Sequence, residues 1–115
     1  MNKIRLVVNN KTERNEREKF FIKKELQSIL NLYAKMVSNG SWKDYSFTSG
    51  IKEVSFDVYQ RASEKPVLRI LKNLKPRYFN EKYLIKDKNG AVLKKSENLN
   101  QLISKTSWNK LKLVK

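Results

Sequence analysis

The sequence predicts an α+β domain: a long N-terminal helix packed on a roughly four-stranded antiparallel sheet, followed by a short C-terminal helix. Three observations carry that expectation. Between Ile22 and Val37 the apolar residues recur on a 3.6-residue period. After Gly40 the period changes to two, the spacing of a strand with one buried face. Near the end, Asn98 and Gln101 stand at capping spacing around Leu99, Leu102 and Ile103. A sheet with one polar face must bury the other, and the long helix is the natural cover. The 115 residues suit one domain. Residues 20–115 are assigned to it, and residues 1–19 to an N-terminal strand and polar lead-in.

The elements follow in order. Ile4, Leu6 and Val8 alternate as in a short strand, and residues 9–19 are polar. In the helix, Ile22, Leu26, Ile29, Leu30, Tyr33, Met36 and Val37 form one apolar stripe, with Lys23, Lys24, Gln27, Asn31 and Lys35 opposite. Asn15 and Glu18 are spaced for a capping box at its start, with an extended Phe20-Phe21 and a start near Ile22 as the alternative, and Asn39-Gly40 closes it. Trp42 to Phe47 leads into the sheet. Val54, Phe56 and Val58 alternate with Ser55, Asp57 and Tyr59 as a half-buried strand. Residues 61–66 make a turn, and Val67 to Leu71 return with Leu68 and Ile70 inward; Pro66 suits a strand's first residue. Residues 73–82 are irregular and contain Pro76. Lys82–Lys86 and Ala91–Lys95 flank Asn89-Gly90, a strong hairpin signal because such a turn needs positive φ. Leu111 and Leu113 stand at strand spacing in the tail.

Composition narrows the chemistry. The chain has no histidine and no cysteine, so the usual neutral-pH proton shuttle, thiolate nucleophile and thiolate or imidazole zinc site are excluded. Asp44, Asp57, Glu64 and Glu81 form no spaced pair resembling a glycosidase or metal-ion motif. Gly40, Gly50 and Gly90 each sit near a turn, so no phosphate-cradling loop is present. A non-enzymatic protein without cofactor or metal is expected. No apolar run approaches the roughly 18 residues of a membrane span, and the N-terminus lacks signal-peptide features. A cytoplasmic location is the resulting expectation.

Charge points towards a partner. The net charge is +15. Residues 1–60 carry 11 basic against 7 acidic side chains, and residues 61–115 carry 15 against 4. Clustered charge raises the local potential and steers anionic ligands. Twenty of the 26 basic residues are lysine, a bias that an AT-rich coding sequence also produces. Pairing Val58 with Ile70 and Tyr59 with Arg69 would set Tyr59, Arg61 and Arg69 on the outward face. Lys65, Lys72, Lys75 and Arg77 extend that charge, and Tyr78 follows. Arginine beside exposed aromatic rings suits nucleic acid: guanidinium forks match phosphates, and rings stack on bases. The expected function is DNA or RNA binding through Arg61, Lys65, Arg69, Lys72, Lys75 and Arg77, with Tyr59 or Tyr78 available to stack. Competing structural readings are an Asp57–Arg69 pair that neutralises the face, and a core position for Tyr78 and Phe79. The alternative function is a protein-interaction module for an acidic partner or for a second copy, anchored by Trp42 and Trp108.

Three stretches resemble a known family: Glu25 to Phe47 (ELQSILNLYAKMVSNGSWKDYSF), Phe56 to Ile70 (FDVYQRASEKPVLRI) and Asn89 to Ile103 (NGAVLKKSENLNQLI). They are similar to a family of small alphaproteobacterial proteins catalogued as a domain of unknown function. The likeness runs from about Phe20 to the C-terminus. The family typically has Asp ahead of the basic pair at the helix start, where this chain has Ile22, so an earlier helix start is expected. The resemblance implies a basic bacterial cytoplasmic protein with no assigned activity. Relatives from GC-rich genomes tend to carry Arg where this chain has Lys, which implies that part of the charge belongs to the fold's role. It also marks Arg61-Ala62-Ser63-Glu64, an exposed turn, as a functional pointer.

Overall fold

The computed structural model describes residues 19–61 and 65–108. The expected strand at Ile4, Leu6 and Val8, the Asn15–Glu18 cap, the Ala62-Ser63-Glu64 part of the turn and the Leu111–Leu113 tail lie outside the described residues. Helix α1 spans Lys23–Ser38. Strands β1 (Asp44–Ser49), β2 (Glu53–Tyr59), β3 (Leu68–Asn73), β4 (Tyr83–Asp87) and β5 (Val92–Ser96) follow, and α2 (Leu99–Lys105) ends the fold. The strands form one antiparallel meander in the order β1-β2-β3-β4-β5.

The α+β class is as expected, but the sheet has five strands rather than four. The added strand is β1. Tyr45 and Phe47 alternate with Asp44, Ser46 and Thr48, and pair with Val58 and Phe56 of β2. Short polar strands of this kind read as a lead-in until a partner strand fixes them.

Of the stripe that the spacing suggests, Leu26, Ile29, Tyr33 and Met36 pack into the core, and the buried face is rotated towards Glu25 and Leu32. Ile29, Leu32 and Met36 are buried together with Glu25, whereas Ile22, Leu30 and Val37 are about two-fifths exposed. The helix starts at Lys23, as the alternative start near Ile22 expects and not earlier, with Ile22 extended as its N-cap. Ile22 has no side-chain acceptor. Glu25, three residues on, reaches back and accepts the Ile22 N–H at 2.8 Å, which is half of a capping box. At the other end Gly40 takes φ +82°. Gly40 N–H donates to Val37 O at 3.0 Å and Ser41 N–H to Met36 O at 2.9 Å, so the last carbonyls are satisfied.

The core lies between α1, α2 and one face of the sheet. Val54, Phe56, Val58, Ile70 and Ile85 are fully buried there with Ile29, Leu99 and Leu102. Tyr33 packs edge-on against Tyr45 and Phe56, at ring separations of 4.8 and 5.9 Å. Burial, then the charge of Asp44 and the neighbouring Tyr45, pushes the Tyr33 phenol above its ordinary pKa. Trp42 is buried and meets Trp108 edge-on at 5.7 Å. It is a core residue, which corrects its expected role as an exposed anchor.

The β2–β3 register differs by two residues from the expected one. Val58 pairs with Leu68 and Asp57 with Arg69. A two-residue slip keeps every side chain on its face, since the strand period is two. Arg69 and Tyr59 therefore still share the face opposite the helices, but Arg69 now stands directly across from Asp57. Pro66 precedes β3 and is not its first residue.

The α2 cap is as expected: Asn98 Oδ1 accepts the Gln101 N–H at 3.0 Å. Asn98→Ala is expected to lower stability by about 1 kcal/mol, measured by urea unfolding. The β4–β5 turn is wider than a two-residue Asn-Gly hairpin. Only Gly90 takes positive φ there, at +86°, and the Asp87 carboxylate accepts the N–H groups of Asn89 and Ala91, both at 2.9 Å.

Candidate nucleic-acid interface

The eight residues expected to bind nucleic acid do not form one patch. Arg61 and Lys65 are exposed at the β2–β3 end of the sheet. Lys75, Arg77 and Tyr78 are exposed at the opposite end, between β3 and β4. The six residues of β3 hold the two ends about 20 Å apart at the usual strand rise. Tyr59 is half-buried, and its hydroxyl lies 3.0 Å from Ser46 Oγ.

Arg69 lies between the two ends and is engaged. Its Nε donates to Asp57 Oδ1 at 2.8 Å, and its Nη2 to Ser55 Oγ at 3.0 Å. Asp57 also accepts from Ser55 Oγ at 2.7 Å and from Thr48 Oγ1 at 2.6 Å. Ser55 and Asp57 are buried, so β2 is covered on both faces and is not the half-buried strand its alternation suggested. The pairing of Asp57 with Arg69 neutralises the middle of the open face.

Lys72 is a correction. It pairs in register with Val54 and Tyr83, on the helix side of the sheet, and its exposure is 0 %. Its Nζ donates to Glu25 Oε1 at 2.9 Å and to Phe20 O at 3.1 Å. The Tyr83 hydroxyl donates to Glu25 Oε2. A charge in the interior is retained only when it is paired and hydrogen-bonded, as this one is. Lys72 therefore ties the start of α1 to the sheet and is removed from the binding surface. The alternation that turns Leu68 and Ile70 inward turns Lys72 inward as well, but no local pattern shows the carboxylate it meets, 47 residues away.

The β3–β4 end is where the remaining charge and aromatic surface meet. Tyr78 is 61 % exposed and Phe79 83 %, so neither is core. At the same end of the sheet, the β1–β2 turn carries Ile51, 88 % exposed, and the exposed Lys52. Leu74 N–H donates to Lys52 O at 2.8 Å, which joins the two segments. The aromatic loop is braced as well. Phe79–Glu81 is a 3₁₀ turn, with Glu81 N–H bonded to Tyr78 O at 3.0 Å. Asn73 donates from its side chain to Glu81 O at 2.7 Å and from its backbone to Lys82 O, also at 2.7 Å. Of the nearby carboxylates, Glu53 is half-buried at the start of β2, and Glu81 lies 3.9 Å from Lys95. The sequence reading missed Ile51 and Lys52. Their signal was the apolar-basic pair directly after Gly50, legible only once β1 makes that glycine a hairpin turn.

Among the described residues, no group of three or more acidic, histidine or cysteine side chains is placed to hold a metal ion. No described helix is long and apolar enough to cross a membrane. Searches of curated proteins and of solved structures give no match. A family model, in contrast, matches residues 19–103, most of the described chain, and stops inside α2 rather than at the C-terminus. The ILNLY segment of α1, the Gly40 helix end and the Asn98 cap all fall within that span, and the chain belongs to the family described as "Protein of unknown function (DUF2794)".

Proposed function

We propose that this protein is a non-enzymatic nucleic-acid-binding domain that grips phosphates from the β3–β4 end of its sheet. The observation that carries the reading is the loop that sets Lys75 and Arg77 directly before the exposed Tyr78 and Phe79, with Lys52 at the same end of the sheet, on a chain of net charge +15. Cations placed this way neutralise phosphates and release counterions, while the strongly positive chain steers the encounter.

The test is a binding titration of labelled DNA and RNA at 50 and 200 mM salt. Three phosphate contacts predict a loss of about 20- to 40-fold in affinity over that range. The double reversal Lys75→Glu and Arg77→Glu is expected to weaken binding by about tenfold or more. The double reversal Arg61→Glu and Lys65→Glu, at the far end, should cost less than about threefold, since that charge lies beyond the screening length. No binding at 50 mM salt, or binding indifferent to salt, sinks the proposal.

A second reading has its own observation. Leu84, Val92 and Leu93 line a shallow depression of about 500 Å³ together with Lys86, Lys94, Lys95 and one carboxylate, Glu81. An acidic, apolar segment of a partner protein fits that chemistry. Co-purification that survives the Lys75 and Arg77 reversals but is lost on Lys86→Glu and Lys94→Glu would support it.

A further inference from the structure

The surface that grips phosphates also presents ring faces, and this sets which form of nucleic acid it takes. We infer that the β3–β4 end is a stacking site for single-stranded nucleic acid and discriminates against duplex; the inference rests on the nucleic-acid reading above. Tyr78 and Phe79 are consecutive, and both are mostly exposed. Exposed rings of this size are uncommon unless something covers them. They are also held in place. The 3₁₀ turn and the two Asn73 hydrogen bonds fix the loop to the end of β3, so little ordering remains to be done when a base arrives. Arg77 directly precedes the rings and Lys75 lies two residues before it on the same loop, which brings cations within reach of the phosphates of a strand stacked on the rings.

A duplex cannot use this arrangement well. Its base faces are already stacked, and opening one step costs a few kilocalories per mole before a ring can enter. A single strand offers its faces at no such cost, and every base has one, so little sequence preference is expected. An anionic bilayer is the competing partner for a basic surface with apolar tips. The apolar part here is small: Ile51 and Phe79 with one tyrosine, whose ring carries a polar hydroxyl.

The experiment uses the full chain with a 20-nucleotide oligothymidylate, a 20-nucleotide oligouridylate, a 20-base-pair DNA duplex, and vesicles containing anionic lipid. The single strands should bind at least about tenfold more tightly than the duplex at equal salt. Phe79→Ala and Tyr78→Ala should each weaken single-strand binding by about 5- to 100-fold. They should leave the salt dependence unchanged, because no phosphate contact is lost, whereas Lys75→Glu should lower it. Phe79→Tyr should keep the affinity and Phe79→Leu should not. Both side chains are exposed, so a thermal melt serves to confirm that each variant is folded. Duplex bound as tightly as single strand, or ring removal without effect, overturns the inference and leaves the nucleic-acid reading standing. Vesicle binding lost with Phe79→Ala, with no preference between strands, also overturns it, in favour of a membrane surface. Failure to bind any nucleic acid at low salt removes both. A preference between the two oligonucleotides identifies DNA or RNA as the source of the strand.

Discussion

Glu25→Ala is expected to lower the unfolding free energy by about 3–5 kcal/mol, the largest effect of any single side chain argued from this structure. Glu25 accepts from Lys72, Tyr83 and the Ile22 backbone at once. Removing it takes the carboxylate away from the Lys72 ammonium, which is 0 % exposed and also donates to Phe20 O. It also removes the side-chain acceptor that the Ile22 N–H has at the start of α1. Lys72→Met should cost less, because methionine fills most of the lysine volume and leaves Glu25 with Tyr83 and the Ile22 amide. The double variant Glu25→Leu and Lys72→Met should recover much of the loss, since a buried pair replaced by apolar groups of similar size is often neutral. Urea unfolding of the three variants checks this. A Glu25→Ala loss below about 1 kcal/mol would mean that water reaches the pair and that it does not anchor the helix.

The same pair shows where sequence reading stops. The α2 cap, the inward Leu68 and Ile70, and the α+β class all follow from local spacing, because each depends on residues a few positions apart. The partner of Lys72 is Glu25, 47 residues away. Alternation puts Lys72 on the inward face with Leu68 and Ile70, but nothing local names the carboxylate that makes the position tenable. The register of β2 on β3 was missed for a related reason. Alternation fixes which face a residue takes but not which residue stands across from it; the Asp57–Arg69 pair, expected as a competing reading from their shared face, is formed, and the observed register sets the two directly opposite. The α1 stripe was read by counting apolar residues, which excluded Glu25 and overrated Leu30 and Val37. The helix turns its Glu25–Ile29–Leu32–Met36 face inward because that face satisfies both the core and the buried lysine. At the candidate interface, Arg77 and Tyr78 were legible from their types. Ile51 and Lys52 were not, since their neighbourhood is created by the Leu74–Lys52 backbone bond between two separate turns.

Asp57→Asn separates the two halves of the question that the open face raises. Three donors point at this carboxylate: Thr48 Oγ1, Ser55 Oγ and Arg69 Nε. An asparagine amide keeps the shape but turns an NH₂ group towards donors and removes the charge that Arg69 faces. Hydrogen bonds to a charged group contribute about 1.5–3 kcal/mol each, but the Arg69 side chain is 33 % exposed and rehydrates in part. The expected loss is therefore about 2–3 kcal/mol, read as a lower urea midpoint at unchanged slope. The effect on nucleic-acid binding is expected to be small, less than about threefold at 0.15 M salt. The freed cation lies four strand residues before Asn73, at about 13 Å, which exceeds the screening length of about 8 Å. A stability loss without an affinity change fits a structural Asp57–Arg69 pair and an interface at the β3–β4 end. An affinity gain of tenfold or more would instead place Arg69 in the binding surface, with Asp57 holding it back, and would move the interface onto the open face of the sheet.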